Sequence, residues 1–195
     1  MSRCSVSGGF CLLVAWFALA NGWRLLAIVL GASLLHELGH YLLLRLLRAP
    51  ILGFHVGIFG AVLETDNRSL SYGGELAAVL AGPGANLLAA LLLLGWDAER
   101  GALFAGANLL LCGFNLLPLR PLDGGRALYL LGCWLLGPEA GERICFWAGL
   151  LSGLLLSGAI LALMFLSGGS LWLLPALFGL LAALFQECRQ KQIFF

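Results

Sequence analysis

The sequence is 195 residues long, 61% hydrophobic and only 11% charged, with a formal net charge of +1. Soluble globular proteins carry about 25% charged residues, so this composition indicates an integral membrane protein. The small net charge, without a long basic block, excludes the electrostatic footprint of a nucleic-acid-binding protein.

Apolar runs long enough to cross a bilayer, about 20 helical residues each, recur between clusters of charge, Gly and Pro. The predicted helices are, in chain order, 8–22, 24–47, 74–95, 102–117, 143–166 and 170–187. A partial helix is also predicted within 118–136, after a Pro-rich turn. We therefore expect an all-α polytopic membrane protein with six transmembrane helices, forming one domain over residues 1–195.

The first helix has an alternative interpretation. Residues 1–20 could be a cleaved signal peptide, because Arg3, an apolar core and the sequence Ala18-Leu19-Ala20 satisfy that loose pattern. We favour a membrane span that is retained.

The second helix contains His36, Glu37 and His40 within an otherwise leucine-rich run. Residues four apart project from one face of a helix, which suits two imidazoles on one metal ion. Glu37 lies near enough to hold a metal-bound water without being a ligand itself. The H-E-x-x-H pattern therefore predicts a zinc site with a general base.

Two other interpretations of this histidine pair remain open. The rings could simply form hydrogen bonds across a helix contact. A haem pocket fits poorly, because two histidines on one helical face cannot be opposite axial ligands of one iron. A metal site is favoured because three ionisable groups at bilayer depth cost several kcal/mol unless a partner compensates them.

Residues 51–64 differ from the helices around them, because three glycines and alternating β-branched or aromatic positions favour strands with a turn. We predict a short membrane-associated β-hairpin there, with an interfacial loop as the alternative. A strand edge of this kind could pair with an extended peptide.

A catalytic zinc takes three protein ligands, so one ligand is missing from the second helix. The candidates are Glu64, Glu75, Asp123 and, more weakly, His55. Asp123 is favoured because it follows an apolar span, where Pro118 and Pro121 end the helix and two glycines let the backbone turn back. The alternative for Asp123 is an ordinary solvated turn residue.

The orientation is predicted from the basic residues, because Lys and Arg are retained on the cytoplasmic side. Nine of the eleven fall on the side of the two termini in the six-helix scheme, and only Arg24 and Arg100 fall opposite. We therefore expect a protein of the cell membrane with both termini in the cytoplasm. The six cysteines form no C-x-x-C pair and are expected to be reduced and buried.

Several motifs together resemble the site-2 protease family of intramembrane zinc metalloproteases, and their order and spacing are similar to its small bacterial branch that acts in sporulation. The motifs are His36-Glu37-Leu38-Gly39-His40, Ala81-Gly82-Pro83 with Asn86, Asn115-Leu116-Leu117-Pro118, and Pro121-Leu122-Asp123-Gly124-Gly125. The resemblance covers nearly the whole chain.

The resemblance implies a zinc ion held by His36, His40 and Asp123, with Glu37 as the base and peptide hydrolysis by zinc-activated water. It also implies that Asn115 meets the substrate, although Asn115 could equally be a helix-end cap. The expected substrates are membrane-embedded or membrane-tethered precursors, such as a sporulation transcription-factor precursor.

The other partners expected are the lipid bilayer and inhibitory membrane proteins. We expect neither the cystathionine-β-synthase domain nor the PDZ domain that some relatives carry. The competing function is a non-proteolytic zinc-binding membrane transporter or scaffold. A transporter should carry polar residues along several spans, whereas the first, fifth and sixth predicted helices are almost wholly apolar.

Overall fold

The structure is a computed structural model that describes residues 3–57, 60–65, 70–93, 100–167, 177–178, 180–181 and 184. The chain divides into two compact units, Met1–Asn115 and Leu116–Phe195. Most of the predicted last helix, 170–187, lies outside the described residues.

The first unit contains a small sheet and three helices. Its elements are β1 (Arg3–Val6), α1 (Gly8–Leu46), β2 (Ile51–Gly57), β3 (Gly60–Thr65), α2 (Tyr72–Leu93) and α3 (Arg100–Asn115).

Helix α1 consists of two helical stretches that meet at Gly22. Ser7 caps its start, because the Ser7 side chain accepts a hydrogen bond from the backbone N–H of Phe10 at 3.2 Å. Gly22 has φ 83° and ψ 161°, which interrupts the helical conformation. Glycine adopts a positive φ without the steric penalty of a Cβ atom. The two predicted helices 8–22 and 24–47 therefore correspond to the two parts of α1.

The sheet has the strand order β1-β2-β3. β1 runs parallel to β2, and β2 runs antiparallel to β3 with an irregularity between Ile51 and Gly53. The segment predicted as a hairpin thus forms two antiparallel strands. β1 was not predicted. Because β2 is paired on both sides, the described strands leave open edges at β1 and β3.

Helices α1 and α2 pack closely where small residues meet. A Cβ atom on Gly39 would lie 2.5 Å from the carbonyl oxygen of Ala81 and 2.9 Å from Cβ of Ala85. Only glycine allows this approach, so the α1 backbone lies directly against α2.

The second unit contains α4 (Asp123–Leu136) and α5 (Pro138–Leu166). The partial helix predicted within 118–136 corresponds to α4. Gly137 separates the helices with φ 93°, and Pro138 opens α5. A Cβ atom on Gly132 would lie 2.7 Å from Cα of Gly141, so α4 and α5 also cross on glycines. Arg120 forms an ion pair with Glu142 beside this helix pair.

Three helices in the described part of the chain are long and apolar enough to cross a membrane, namely α1, α2 and α5. Helix α3 is apolar but shorter. Many leucines on these helices are exposed, as expected for surfaces that face lipid. The count of six spans stays a prediction.

Candidate metal centre

The side chains of His36 and His40 lie one turn apart on α1 and face each other. Their Nε2 atoms are 3.1 Å apart, and the ring planes are at 83° to each other. Two nitrogens that bind one tetrahedral zinc ion at about 2.0–2.1 Å are about 3.3 Å apart. The spacing of the two rings is therefore close to the spacing that a shared ion requires.

The other nitrogen of each ring is held by an oxygen acceptor on α2. Nδ1 of His36 lies 2.6 Å from Oδ1 of Asn86, and Nδ1 of His40 lies 2.8 Å from the carbonyl oxygen of Ala78. Both partners are acceptors, so each Nδ1 carries the proton and donates it. In the neutral rings, Nε2 then bears a lone pair.

The two Nε2 lone pairs consequently point towards the same place. At 3.1 Å two lone pairs repel each other unless a positive charge lies between them. His36 is buried and His40 is half-buried, so water screens this repulsion only in part. The pair is suited to a shared cation, and oriented neutral imidazoles of this kind are the usual zinc ligands.

Gly82 on α2 leaves the space that the His40 ring occupies. A Cβ atom at this position would lie 2.2 Å from Nε2 of His40, far inside van der Waals contact. Any other residue at position 82 would displace the ring nitrogen that faces His36. The glycine of the Ala81-Gly82-Pro83 motif is therefore part of the site.

Two buried asparagines extend this arrangement, and sequence reasoning missed their roles. Asn86 and Asn108 are 0% exposed. The Nδ2 group of Asn86 donates to the carbonyl oxygen of Ala32 at 3.0 Å and to Oδ1 of Asn108 at 2.7 Å. Asn108 in turn donates from Nδ2 to the carbonyl oxygen of Phe104 at 2.8 Å. An uncharged amide inside an apolar helix was the signal that could have identified both.

Glu37, the predicted base, is half-buried on α1 beside His36. Among the other candidate ligands, Glu75 lies in the first turn of α2 and is half-buried. His55 lies in β2 and Glu64 in β3, and their side chains are outside the described part of the structure. Their predicted roles are not tested.

Asp123 is the first residue of α4 in the second unit, and it is half-buried. The two glycines that follow it pack against the preceding loop. Cβ atoms there would lie 2.1 Å from the Leu116 carbonyl oxygen for Gly124 and 2.2 Å from the Leu119 carbonyl oxygen for Gly125. The Pro-Gly segment is thus a close-packed turn. It fixes the position of the backbone from which the Asp123 side chain extends.

Asn115 is the last residue of α3. Its Nδ2 group donates to the carbonyl oxygen of Leu111 at 3.1 Å, which is a bond within its own helix. This contact fits the alternative in which Asn115 is a cap at the end of its helix. The amide has a second N–H, so its predicted role towards substrate stays a prediction.

Comparison with known proteins shows what this chain is similar to. No family model matches the chain. The chain is 31% identical over 194 residues to Stage IV sporulation protein FB from Bacillus subtilis (strain 168), covering 93% of this chain. Its fold matches the Site-2 Protease from Methanocaldococcus jannaschii with a TM-score of 0.65 and 23% identity, over 94% of this chain and 88% of that one. The chain thus resembles the site-2 protease family, in fold through this structure and in sequence through the sporulation protein.

The similarity of the chain to these two proteins confirms the resemblance that the motifs indicated, and it supports a mostly helical membrane protein. It does not favour the transporter or scaffold alternative. The chain spans 65% of the length of the sporulation protein that it matches. In the site-2 protease fold, the H-E-x-x-H motif of this chain lies on α1, where α2 supplies a partner for each histidine.

Proposed function

We propose that this chain is an intramembrane zinc metalloendopeptidase that cleaves membrane-embedded or membrane-tethered protein precursors. His36, His40 and Asp123 hold the zinc ion in this proposal, and Glu37 is the general base. The proposal also includes six membrane spans with both termini in the cytoplasm.

One observation carries the proposal. The Nε2 atoms of His36 and His40 face each other at 3.1 Å while both Nδ1 atoms are engaged as donors. A mere hydrogen-bonded helix contact would need one Nε2 to carry a proton, and Nδ1 of that neutral ring would then be an acceptor that needs a donor as its partner. The oxygen partners on α2 are unsuited to that state.

Asp123 is the proposed third ligand. Two imidazole nitrogens and one carboxylate oxygen are a donor set able to hold a divalent ion, and zinc accepts this combination. Three protein ligands leave one position for water. When bound, zinc would supply a Lewis acid that polarises the peptide carbonyl and activates water at neutral pH.

Glu37 would move the proton during hydrolysis. Its carboxylate accepts a proton from the attacking water and passes it to the leaving amine of the cleaved peptide bond. Its position next to His36 suits this role, because it is near the metal ligands without being one of them. An amide hydrogen of Asn115 would stabilise the negative charge on the carbonyl oxygen.

The substrate would bind as an extended strand at the outer edge of β3. A transmembrane helix hides its carbonyls in the i to i+4 ladder, so it must unwind before attack. Addition to a strand edge holds a peptide extended through its main-chain hydrogen bonds. Segments rich in helix-breaking residues should therefore be cut first. The relative is named as a sporulation protein, and we propose a sporulation transcription-factor precursor as the first substrate to test and inhibitory membrane proteins as the regulators.

The test combines cleavage with a metal count in Glu37→Gln. The protein is reconstituted in vesicles with a single-span reporter peptide that contains a Gly-Pro pair near one end of its span. We expect the variant to keep one zinc per chain and to lose cleavage by about a hundredfold or more, because general base catalysis contributes on the order of 10²–10⁴. Glu139→Gln is the matched control, because Glu139 is exposed in the first turn of α5.

Undiminished cleavage by Glu37→Gln would exclude Glu37 as the base. A wild-type protein that is folded but binds no zinc would overturn the metal site, and with it the proposed enzyme.

A further inference from the structure

Two asparagines with no assigned role connect α1, α2 and α3 inside the first unit. Asn86 in α2 and Asn108 in α3 are fully buried, in helices rich in Leu and Ala. Burying an amide costs free energy unless its hydrogen bonds are satisfied. Here the two amides bond to each other and to backbone carbonyl groups of the helices. This chain of hydrogen bonds ends at His36.

The direction of every bond in this network follows from its ends. The carbonyl oxygen of Phe104 can only accept, so it fixes the Nδ2 side of Asn108. The Oδ1 atom of Asn108 and the carbonyl oxygen of Ala32 then both accept from Nδ2 of Asn86. Oδ1 of Asn86 is left to face His36, at 2.6 Å from Nδ1. Reversing any amide would place two donors or two acceptors in contact.

We propose that Asn86 is a positioning residue for the metal, and that Asn108 acts through it. Asn86 holds the proton of His36 on Nδ1, which leaves Nε2 as a lone pair directed at Nε2 of His40. Asn108 keeps Asn86 from turning its amide over. This inference rests on the proposed zinc site, and it adds two residues that do not themselves touch the metal.

The network predicts an order of effects. Loss of Asn86 removes the acceptor that lies 2.6 Å from Nδ1 of His36, so the ring is less firmly held in its orientation and tautomer. Loss of Asn108 leaves Asn86 with its bond to Ala32 at 3.0 Å, so the orientation of Asn86 is weakened but not lost. The Asn86 variant should therefore bind zinc more weakly than the Asn108 variant.

Zinc affinity of the full chain, measured by competition with a chelator, is the first readout. We expect Asn86→Leu to lose about 10–100-fold in affinity, the usual effect of removing a partner of a metal-bound histidine. Asn108→Leu should lose less. Asn86→Asp keeps an acceptor for Nδ1, so it should bind zinc more tightly than Asn86→Leu even though its buried charge lowers thermal stability.

Ser157→Ala is the control for a lost buried hydrogen bond. Ser157 is buried in α5 of the second unit, and its hydroxyl donates to the carbonyl oxygen of Gly153 at 2.8 Å. This variant should keep the zinc affinity of the wild type. If affinity simply follows thermal stability across all four variants, the two asparagines are structural and the proposal fails.

A second readout needs neither bound metal nor the Asn86→Asp variant. In the metal-free protein labelled with ¹⁵N-histidine, at a pH of about 8.5 where imidazole is neutral, His36 should show a protonated Nδ1 and an unprotonated Nε2. In Asn86→Leu these signals should shift towards a mixture of tautomers. A wild-type His36 protonated on Nε2, or an unchanged tautomer in Asn86→Leu, would overturn the proposal.

The two proposals can fail separately. If the wild type binds no zinc, the proposed function fails whatever the tautomer of His36. If the wild type binds zinc and Asn86→Leu binds it equally well, only the positioning role is lost.

Discussion

At the scale of single residues, the two nitrogens of each histidine ring have separate roles. Nδ1 is held by an oxygen on α2, at 2.6 Å for His36 and 2.8 Å for His40, and Nε2 is directed at the other ring. A ring that is fixed on one side loses little conformational freedom when its other side binds an ion. Gly82 completes this arrangement by leaving room for the His40 ring.

Gly82→Ala tests whether that room matters. The added Cβ would lie 2.2 Å from Nε2 of His40, so the ring must move and its metal-binding nitrogen must leave its place. We expect zinc affinity to fall at least about tenfold, in the range seen when a histidine ligand loses its support. The measurement is chelator competition on the purified full chain.

Gly84→Ala is the matched control, because Gly84 lies two residues further along the same helix and its added Cβ would have no atom within 4 Å. It should bind zinc like the wild type. Equal losses in the two variants would show that the effect comes from α2 as a whole and not from the contact with His40.

At the scale of secondary structure elements, α1 and α2 are joined by polar contacts and by close backbone packing. Hydrogen bonds of His36, His40 and Asn86 join the two helices. In the contacting pairs, the residue numbers increase along α1 while they decrease along α2. The two helices therefore run antiparallel. Gly39 sets their closest approach, beside the carbonyl oxygen of Ala81.

Gly39→Ala should destabilise this helix pair. The added methyl group would lie 2.5 Å from the Ala81 carbonyl oxygen, and such overpacking costs about 1–3 kcal/mol. Thermal unfolding in detergent should show a lower midpoint. Gly106→Ala is the control, because its Cβ meets no atom within 4 Å in α3. There the better helix propensity of alanine should leave stability equal or raise it by up to about 1 kcal/mol. Equal midpoints for both variants would contradict the close packing.

The elements that could be predicted are those whose signal is local. Each described helix corresponds to an apolar run, and the break in α1 was predicted near Gly22 because a polar cluster interrupts the run there. β1 was missed because four residues, Arg3–Val6, carry too little periodicity. Its strand conformation comes from pairing with β2, which is a tertiary contact.

The site divides in the same way. His36 and His40 were predicted to share a face because four residues of helix suffice to place them. Their oxygen partners, Asn86 and the Ala78 carbonyl, depend on how α1 packs on α2, and nothing local in the sequence reports that packing. Asn108 is one step further away in the network, on a third helix. The role of Asp123 as a ligand remains a prediction for the same reason.

At the scale of the whole molecule, charge predicts the orientation in the membrane. Arg24 is one of two basic residues on the side opposite the termini, and Arg143 is one of nine on the cytoplasmic side in the six-span scheme. Both are exposed, so both positions can be probed chemically. The positive-inside tendency places the larger group in the cytoplasm.

Single cysteines at these two positions test this orientation. In a chain whose native cysteines are replaced by alanine, Arg24→Cys should react with a membrane-impermeant maleimide in intact cells, and Arg143→Cys should react only after lysis. The reverse pattern would invert the topology. Labelling of both in intact cells would rule out the six-span scheme.

The break at Gly22 has a consequence for the way the protein fits bilayers of different thickness. The stretch 23–46, which carries the histidines, rises about 36 Å and matches a hydrocarbon core of about 30 Å, whereas the stretch 8–21 rises only about 21 Å. Lipid mismatch therefore falls mainly on the shorter stretch, and Gly22 lets that stretch change its tilt by itself. In a thinner or thicker membrane, the tilt of the stretch 8–21 should change. The depth of the two imidazole rings in the bilayer should stay the same.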